Sequence, residues 1–248
     1  MNKDYFSERK TIRRYSGRDI DPALISSIVD RAVHAPTTGN MQLYSVVATV
    51  SPDALEALAP LHFNQPAATS AKAILTICAD LGRFSRWCSL SGAKPGFGNL
   101  QGLMYGIFDA VILGQQIVTV AENEGLGTCY LGTTTFNAPQ IAEQLNLPDM
   151  VVPLLSITLG YPDENGEATE RIGSDGVLYF NRYPDLSDSD IREIYKVKDE
   201  YPANAGYAAE HGKQNIAQVF TDVRYPEGMN REFSAPFLEF IRKSGFDI

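Results

Sequence analysis

Cysteine is scarce in this chain. Its 248 residues hold three, at positions 78, 88 and 129, and no two form a C-x-x-C pair. That argues against a zinc knuckle or a dithiol redox motif and suits reduced thiols in a cytoplasm. The histidines, His34, His62 and His211, are scattered without metal-ligand spacing and read as surface or core residues. Positive charge is in short supply too: 21 Lys and Arg face 30 Asp and Glu, for a net charge of −9. A surface that acidic repels phosphate backbones and anionic lipid, so neither nucleic acid nor a membrane is expected as partner. No apolar run approaches the ~20 residues of a spanning helix. The start "MNKDYFSERK" lacks the apolar stretch of a signal peptide. The expectation is an acidic globular protein of the cytoplasm.

Familiar catalytic patterns are missing as well. "GFGNLQG" approaches a dinucleotide fingerprint, but Gln101 stands where its third glycine belongs and no strand precedes it. "SGAK" at 91–94 satisfies S-x-x-K without the S-D-N or K-T-G that should follow. There is no Walker A sequence and no G-x-S-x-G elbow. Acyl transfer, metal hydrolysis and P-loop chemistry lack their residues.

What is present is an alternation of strands and helices, which predicts an α/β or α+β fold in one domain over 1–248. Asp21 is an N-cap with Pro22 at the first helical position, and apolar residues then recur at helical spacing to Pro36. "YSVVATV" (44–50) and "AKAILTICAD" (71–80) read as strands, the second fully buried, with a short helix capped at Ser51 between them. Residues 82–104 read as an excursion loop, with room for a short helix, that could form a lid and holds the single Trp87. A long helix from Met104 to Gly127 is apolar on nearly all faces, which predicts a core position or a subunit interface. "TCYLGTT" predicts a strand and tight turn, "NAPQIAEQLNLP" a helix, and "VVPLLSITLGYP" a buried strand. In a C-terminal extension from about 185, a helix is expected from Ser187, a strand near "AQVFTDVRY", and a last helix capped at Ser234 and stopped by Gly245.

Three polar or glycine-rich segments remain. "RKTIRRY" (9–15) gathers Arg9, Lys10, Arg13 and Arg14, with Arg18 close by. It is either a solvated basic run or a set of cations collected for an anion. "HAPTTGNMQLY" (34–44) could simply be a helix-terminating turn, and "EGLGTCYLGTT" (124–134) is the third segment. In order and spacing these resemble the three sequence blocks of the nitroreductase family of flavin-dependent oxidoreductases. The resemblance extends to Asp109, taken to open the long helix, and to "LGYP", and runs from about Arg9 to Tyr183.

The resemblance implies an α+β fold, a mainly antiparallel sheet wrapped by helices, in an interlocked homodimer that binds FMN. It places Arg9 and Thr11 at phosphate-binding positions, Lys10 in the same segment, and Arg13 near the ribityl chain and pyrimidine edge. Thr37, Thr38 and Asn40 match residues that line the flavin from the partner subunit, and Gln65 one that reaches the ring edge. Tyr130, Leu131, Gly132 and Thr133 match the turn facing flavin N5, with Gly132 as amide donor. After "GYP" the family often carries Lys-x-Arg, whereas this chain has Thr169-Glu170-Arg171, keeping only the arginine. The implied reaction is ping-pong hydride transfer from NAD(P)H through FMN to nitroaromatic or quinone-type acceptors. No side chain is expected to do the chemistry, and no metal site is expected. Other readings stay open: another branch of the family, such as reductive dehalogenation or flavin-consuming oxidation, or a flavin-binding protein without activity.

Overall fold

Proline and capping residues set the first elements in the computed structural model, which describes residues 4–248. Met1, Asn2 and Lys3, part of the start read above as leaderless, lie outside the described residues. The chain divides into two compact units, one of residues up to 167 with 233–248, the other of residues 168–232.

The first unit opens with a single turn, α1 (Tyr5–Glu8). Helix α2 (Pro22–Ala32) starts as its sequence predicts, with Asp21 Oδ1 accepting the Ala23 N–H at 2.9 Å. Then follow β1 (Tyr44–Thr49), α3 (Pro52–Leu58), α4 (Pro66–Thr69), β2 (Ala73–Asp80), α5 (Gly82–Leu90), α6 (Leu100–Asn123), β3 (Gly127–Leu131), α7 (Ala138–Gln144) and β4 (Val151–Gly160). The strands form one antiparallel sheet in the order β1-β2-β4-β3. β2 is buried along its whole length, as its unbroken apolar run requires. Leu75 and Ile77 pack with α2 and α6, while Ile74 packs with α3, α4 and α7. The period of two therefore buries both faces of the sheet under helices, giving the expected α+β architecture.

Helix α6 starts four residues before the expected Met104, because the Asn99 side chain accepts the Gly102 N–H at 2.9 Å and caps it there. Asp109 accordingly lies well inside the helix and does not open it. By length and composition α6 is apolar enough to cross a membrane, contrary to the reading that no run approaches that length. Half of its apolar window is buried within the protein, the placement of a core helix. The excursion is more ordered than a loop: α5 takes its first half, and Phe84 packs edge-on to Phe97 at 5.4 Å, tying helix to loop.

The last element, α11 (Glu227–Lys243), reaches into the first unit from Phe233 onward, where Phe237, Phe240 and Ile241 pack against Leu81 and Leu103. It begins seven residues before the expected Ser234 cap, supported by the Glu227–Arg231 pair at i,i+4 spacing.

The second unit is helical: α8 (Asp188–Asp199), α9 (Pro202–Glu210) and α10 (Ile216–Val219), the last continued by a π-turn over 220–224. Ser187 and Asp190 form the reciprocal capping box that starts α8. The strand expected near "AQVFTDVRY" is helical instead. Asn215 accepts the Gln218 N–H at 3.0 Å, and Ile216 and Val219 are buried at i,i+3. Helical capping outweighed the β-branched content.

At one end of the sheet Gly127 on β3 pairs with Gly160 on β4. A Cβ on Gly127 would lie 2.7 Å from Ile12, and one on Gly160 would lie 2.5 Å from Tyr15. The missing side chains let the basic segment lie directly on the sheet. Ile12 donates its N–H to the Thr128 carbonyl at 3.0 Å, and Tyr15 bridges Pro162. The Tyr15 hydroxyl reaches the Ile12 carbonyl at 2.8 Å and Thr158 Oγ1 at 2.6 Å.

Gly160→Ala should therefore overpack the Tyr15 site and lower the free energy of unfolding by about 1–3 kcal/mol. Gly132→Ala, where a Cβ meets nothing within 4 Å, should change it by under ~0.5 kcal/mol. Chemical denaturation of both variants measures the contrast; equal losses would mean that the glycine pair is not what seats the segment.

Candidate functional site

The cations of "RKTIRRY" meet different fates. Arg9 is turned inward: its guanidinium lies 3.1 Å from Glu122 Oε1 and 3.5 Å from Thr128 Oγ1, on a carboxylate only 10% exposed. Glu122 also accepts from Tyr5 at 2.5 Å and from Thr128. Burial, with the bond to Glu122 second, pushes the Tyr5 hydroxyl up to about 12. Arg18 stacks on Tyr161, 3.8 Å from the ring centre. Arg13 is exposed, and among the described residues no carboxylate pairs with its guanidinium. Its backbone is fixed all the same, donating N–H to Glu164 Oε1 at 2.5 Å. Its charge is felt on β3: burial raises the Cys129 thiol, and Arg13, then Arg9, pull it back down. Thr11 is half-buried between these residues, and Lys10 is exposed. A cleft of about 390 Å³ beside Arg9 and Lys10 is lined also by Glu8, Glu122 and Glu164, so it does not collect an anion.

β3 carries Tyr130 and Leu131 into a turn over 132–134. Leu131 is buried in the core, and burial pushes the Tyr130 hydroxyl up to about 12. Gly132 is exposed, and a Cβ there would meet nothing within 4 Å, so the turn opens onto free space. Behind it sits a polar knot. Gln65 donates its amide to the His62 carbonyl at 3.0 Å and to Thr133 Oγ1 at 3.3 Å, while His62 Nδ1 lies 3.0 Å from the same oxygen. Phe63 and Asn64 adopt left-handed backbone, with φ of 56° and 51°, and so return the chain from buried His62 to Gln65. His62 is fully buried, and burial lowers it to about 4, so it is neutral near pH 7.

The second block is held by α6. Asp109, buried in the apolar helix, accepts the Thr38 N–H at 2.7 Å and the Leu43 N–H at 3.1 Å. Between these anchors Gly39, Asn40 and Gln42 all have positive φ, so the segment is a shaped loop and not a plain helix stop. Asn40 is exposed, and Thr37 Oγ1 is buried with no hydrogen-bond partner among the described residues.

The first unit thus brings Arg9, Thr11 and Arg13 onto β3 and joins Gln65 to Thr133. No hydrogen bond among the described residues links Thr37, Thr38 or Asn40 to either group. Arg171 lies in the second unit, where its guanidinium turns back on Thr169 and on the Glu170 carbonyl at 2.8 Å. The Glu170 carboxylate is held by Asn204 at 3.0 Å and Lys198 at 3.1 Å, bonds that hold it below the usual carboxylate range. Sequence reasoning missed Glu122, His62 and Glu164, whose partners lie far along the chain.

A model of the Nitroreductase family matches residues 6–161. A solved structure from Bacteroides fragilis, provisionally named an oxidoreductase, is 40% identical with a TM-score of 0.95, covering 98% of this chain and 100% of that one. An NADPH-dependent oxidoreductase of Staphylococcus saprophyticus is 27% identical over 95% of this chain and 94% of its own. An FMN reductase (NADPH) of Bacillus subtilis is 26% identical over 96% and 95%.

His62 generates a pH prediction. Its folded-state pKa lies below the unfolded value of about 6.5, so its contribution to stability is whole above that value and is lost as pH falls toward 4. Between pH 7.5 and 5.5 the wild type should lose on the order of 1.5 kcal/mol more than His62→Asn, which does not titrate. Parallel unfolding curves for the two at both pH values would refute this.

Proposed function

The chain belongs to the nitroreductase family, and from that premise we propose that it is an FMN-dependent NAD(P)H oxidoreductase acting on small acceptors such as nitroaromatics or quinones. The observation that carries this reading is Arg13, a cation with no carboxylate partner among the described residues, whose charge reaches Cys129 on β3, the strand that leads into an open turn at Gly132. FMN needs positive charge at its phosphate and at the pyrimidine edge that turns anionic on reduction, and N–H donors at a fixed place on its ring. The residues fit that demand. Bound FMN would supply two-electron redox chemistry, accepting from NAD(P)H and delivering to the acceptor in separate half-reactions.

In this reading Thr11 and Arg13 hold the anionic parts, with Lys10 adding charge, and Arg9 contributes less because Glu122 already neutralises it. The Gly132 amide and Gln65 face the ring, and Tyr130 and Leu131 fix the turn from the strand side. The Bacillus subtilis relative named FMN reductase (NADPH) supports the choice of cofactor. We also propose a homodimer. Phe108, Val111 and Ile112 on α6 are 49%, 47% and 42% exposed, an apolar stripe on the same helix whose Asp109 anchors Thr38. A second copy on that stripe would bring Thr37, Thr38 and Asn40 to its neighbour's flavin.

Three single substitutions test the assignment, read by FMN dissociation constant and by unfolding free energy. Arg13→Ala should weaken FMN by roughly 10- to 100-fold, the loss of one charge-assisted bond, with stability unchanged. Arg9→Ala should instead destabilise the fold by about 1–3 kcal/mol, since it leaves a mostly buried carboxylate without its cation. Arg14→Ala should do little. Equal, small effects of all three on FMN would mean that the run is only a solvated basic stretch. A purified protein that takes up FMN but does not oxidise NADH or NADPH would leave flavin binding and remove the enzyme.

A further inference from the structure

Two polar groups, the Gln65 amide and His62 Nδ1, meet at Thr133 Oγ1, and the donor and acceptor roles are settled by elimination. The His62 carbonyl can only accept, so the Gln65 atom 3.0 Å from it is the NH2, and that same NH2 donates to Thr133 Oγ1. His62 then either donates from Nδ1 to Thr133 or accepts the Thr133 proton there. Its other nitrogen, Nε2, is buried with no hydrogen-bond partner among the described residues. If Nδ1 accepted, the one imidazole proton would sit on Nε2 as an orphaned buried donor. If Nδ1 donates, Nε2 is a bare lone pair, and unsatisfied acceptors are tolerated better than orphaned N–H groups. With Nδ1–H and the Gln65 amide both donating, the two acceptor positions of Thr133 Oγ1 are filled. Its own proton is left to be given elsewhere, and Thr133 is only half-buried, next to Gly132, where a Cβ would meet nothing within 4 Å.

We propose that His62, as its Nδ1–H tautomer, is a positioning residue that works with Gln65 to direct the Thr133 hydroxyl outward as a hydrogen-bond donor to the ring of the bound flavin. The proposal rests on the FMN reading above for the identity of the acceptor, but the tautomer and the filled Thr133 oxygen do not. It gives a reason for a fully buried histidine on a strained turn: a phenylalanine would bury there without leaving an unpaired nitrogen, but it could not fix Thr133. A neutral ring throughout the working pH range is consistent with this, since burial holds its pKa down to about 4.

The test has two readouts. Imidazole 15N shifts of His62 in the flavin-free protein report the tautomer, and titration with FMN reports binding. The expected result is Nδ1–H at pH 7, with His62→Phe and Thr133→Val each weakening FMN by roughly 5- to 10-fold. His62→Asn, whose amide can replace the Nδ1–H, should stay within about 2-fold of wild type. An Nε2–H tautomer would overturn the proposal. So would Thr133→Val binding FMN as the wild type does, or His62→Asn behaving like His62→Phe. A wild-type protein that takes up no FMN would overturn the flavin reading and the donor role with it. The 15N shifts would still report whether His62 donates to Thr133.

Discussion

The cationic part of the candidate site depends on a close approach between two backbones. Gly127 and Gly160 face each other across β3 and β4, and the basic segment fills the space that their side chains would take. Ile12 and Tyr15 are the two residues pressed into that space, each under 10% exposed, and Arg13 between them is exposed. A short extended stretch with buried residues on both sides of an arginine has little freedom. The cost of ordering that arginine's backbone is met by core packing, so the side chain that would meet an anion starts from a fixed place.

The same segment shows why charge counting is a poor guide to charge function. Arg9 and Arg13 are four residues apart and chemically identical, yet Glu122 holds the first in an internal pair while the second has no carboxylate partner among the described residues. Glu122 accepts hydrogen bonds from Tyr5 and Thr128 and pairs with the Arg9 guanidinium, and so ties α1, the basic segment and β3 to the end of α6. Its value is structural cross-linking, and the charge it neutralises is the one least available to a ligand.

Much of this was legible in the sequence. The buried strands β2 and β4, the Asp21 cap and the strand-to-turn at Gly132 follow from period, capping and glycine placement. The three blocks with their spacing pointed to the family. What was not legible is long-range. Glu122 reads as one more charge near a helix end until Arg9, more than a hundred positions earlier, is folded onto it. His62 reads as a lone core histidine until the turn at Phe63 and Asn64 brings it against Thr133. The missed helix starts have a different cause: Asn99 lies next to glycine and Asn215 stands before β-branched residues, so the cap was outvoted by its neighbours' preferences.

Asp109 joins these themes. An ionisable group inside a helix as apolar as α6 is costly unless its oxygens are satisfied, and here two backbone N–H groups, from Thr38 and Leu43, satisfy them. The carboxylate therefore holds both ends of a loop in which Gly39, Asn40 and Gln42 adopt left-handed backbone, a conformation disfavoured for Asn40 and Gln42 on their own. The strain stays because the anchors over-determine it. Only a residue with two acceptor oxygens, fixed on a rigid helix, could do so. That is why an acidic residue stands in the middle of so apolar a helix: its role is to shape the loop carrying Thr37, Thr38 and Asn40, while the exposed apolar residues on either side of it, Phe108 and Val111, remain available to a partner.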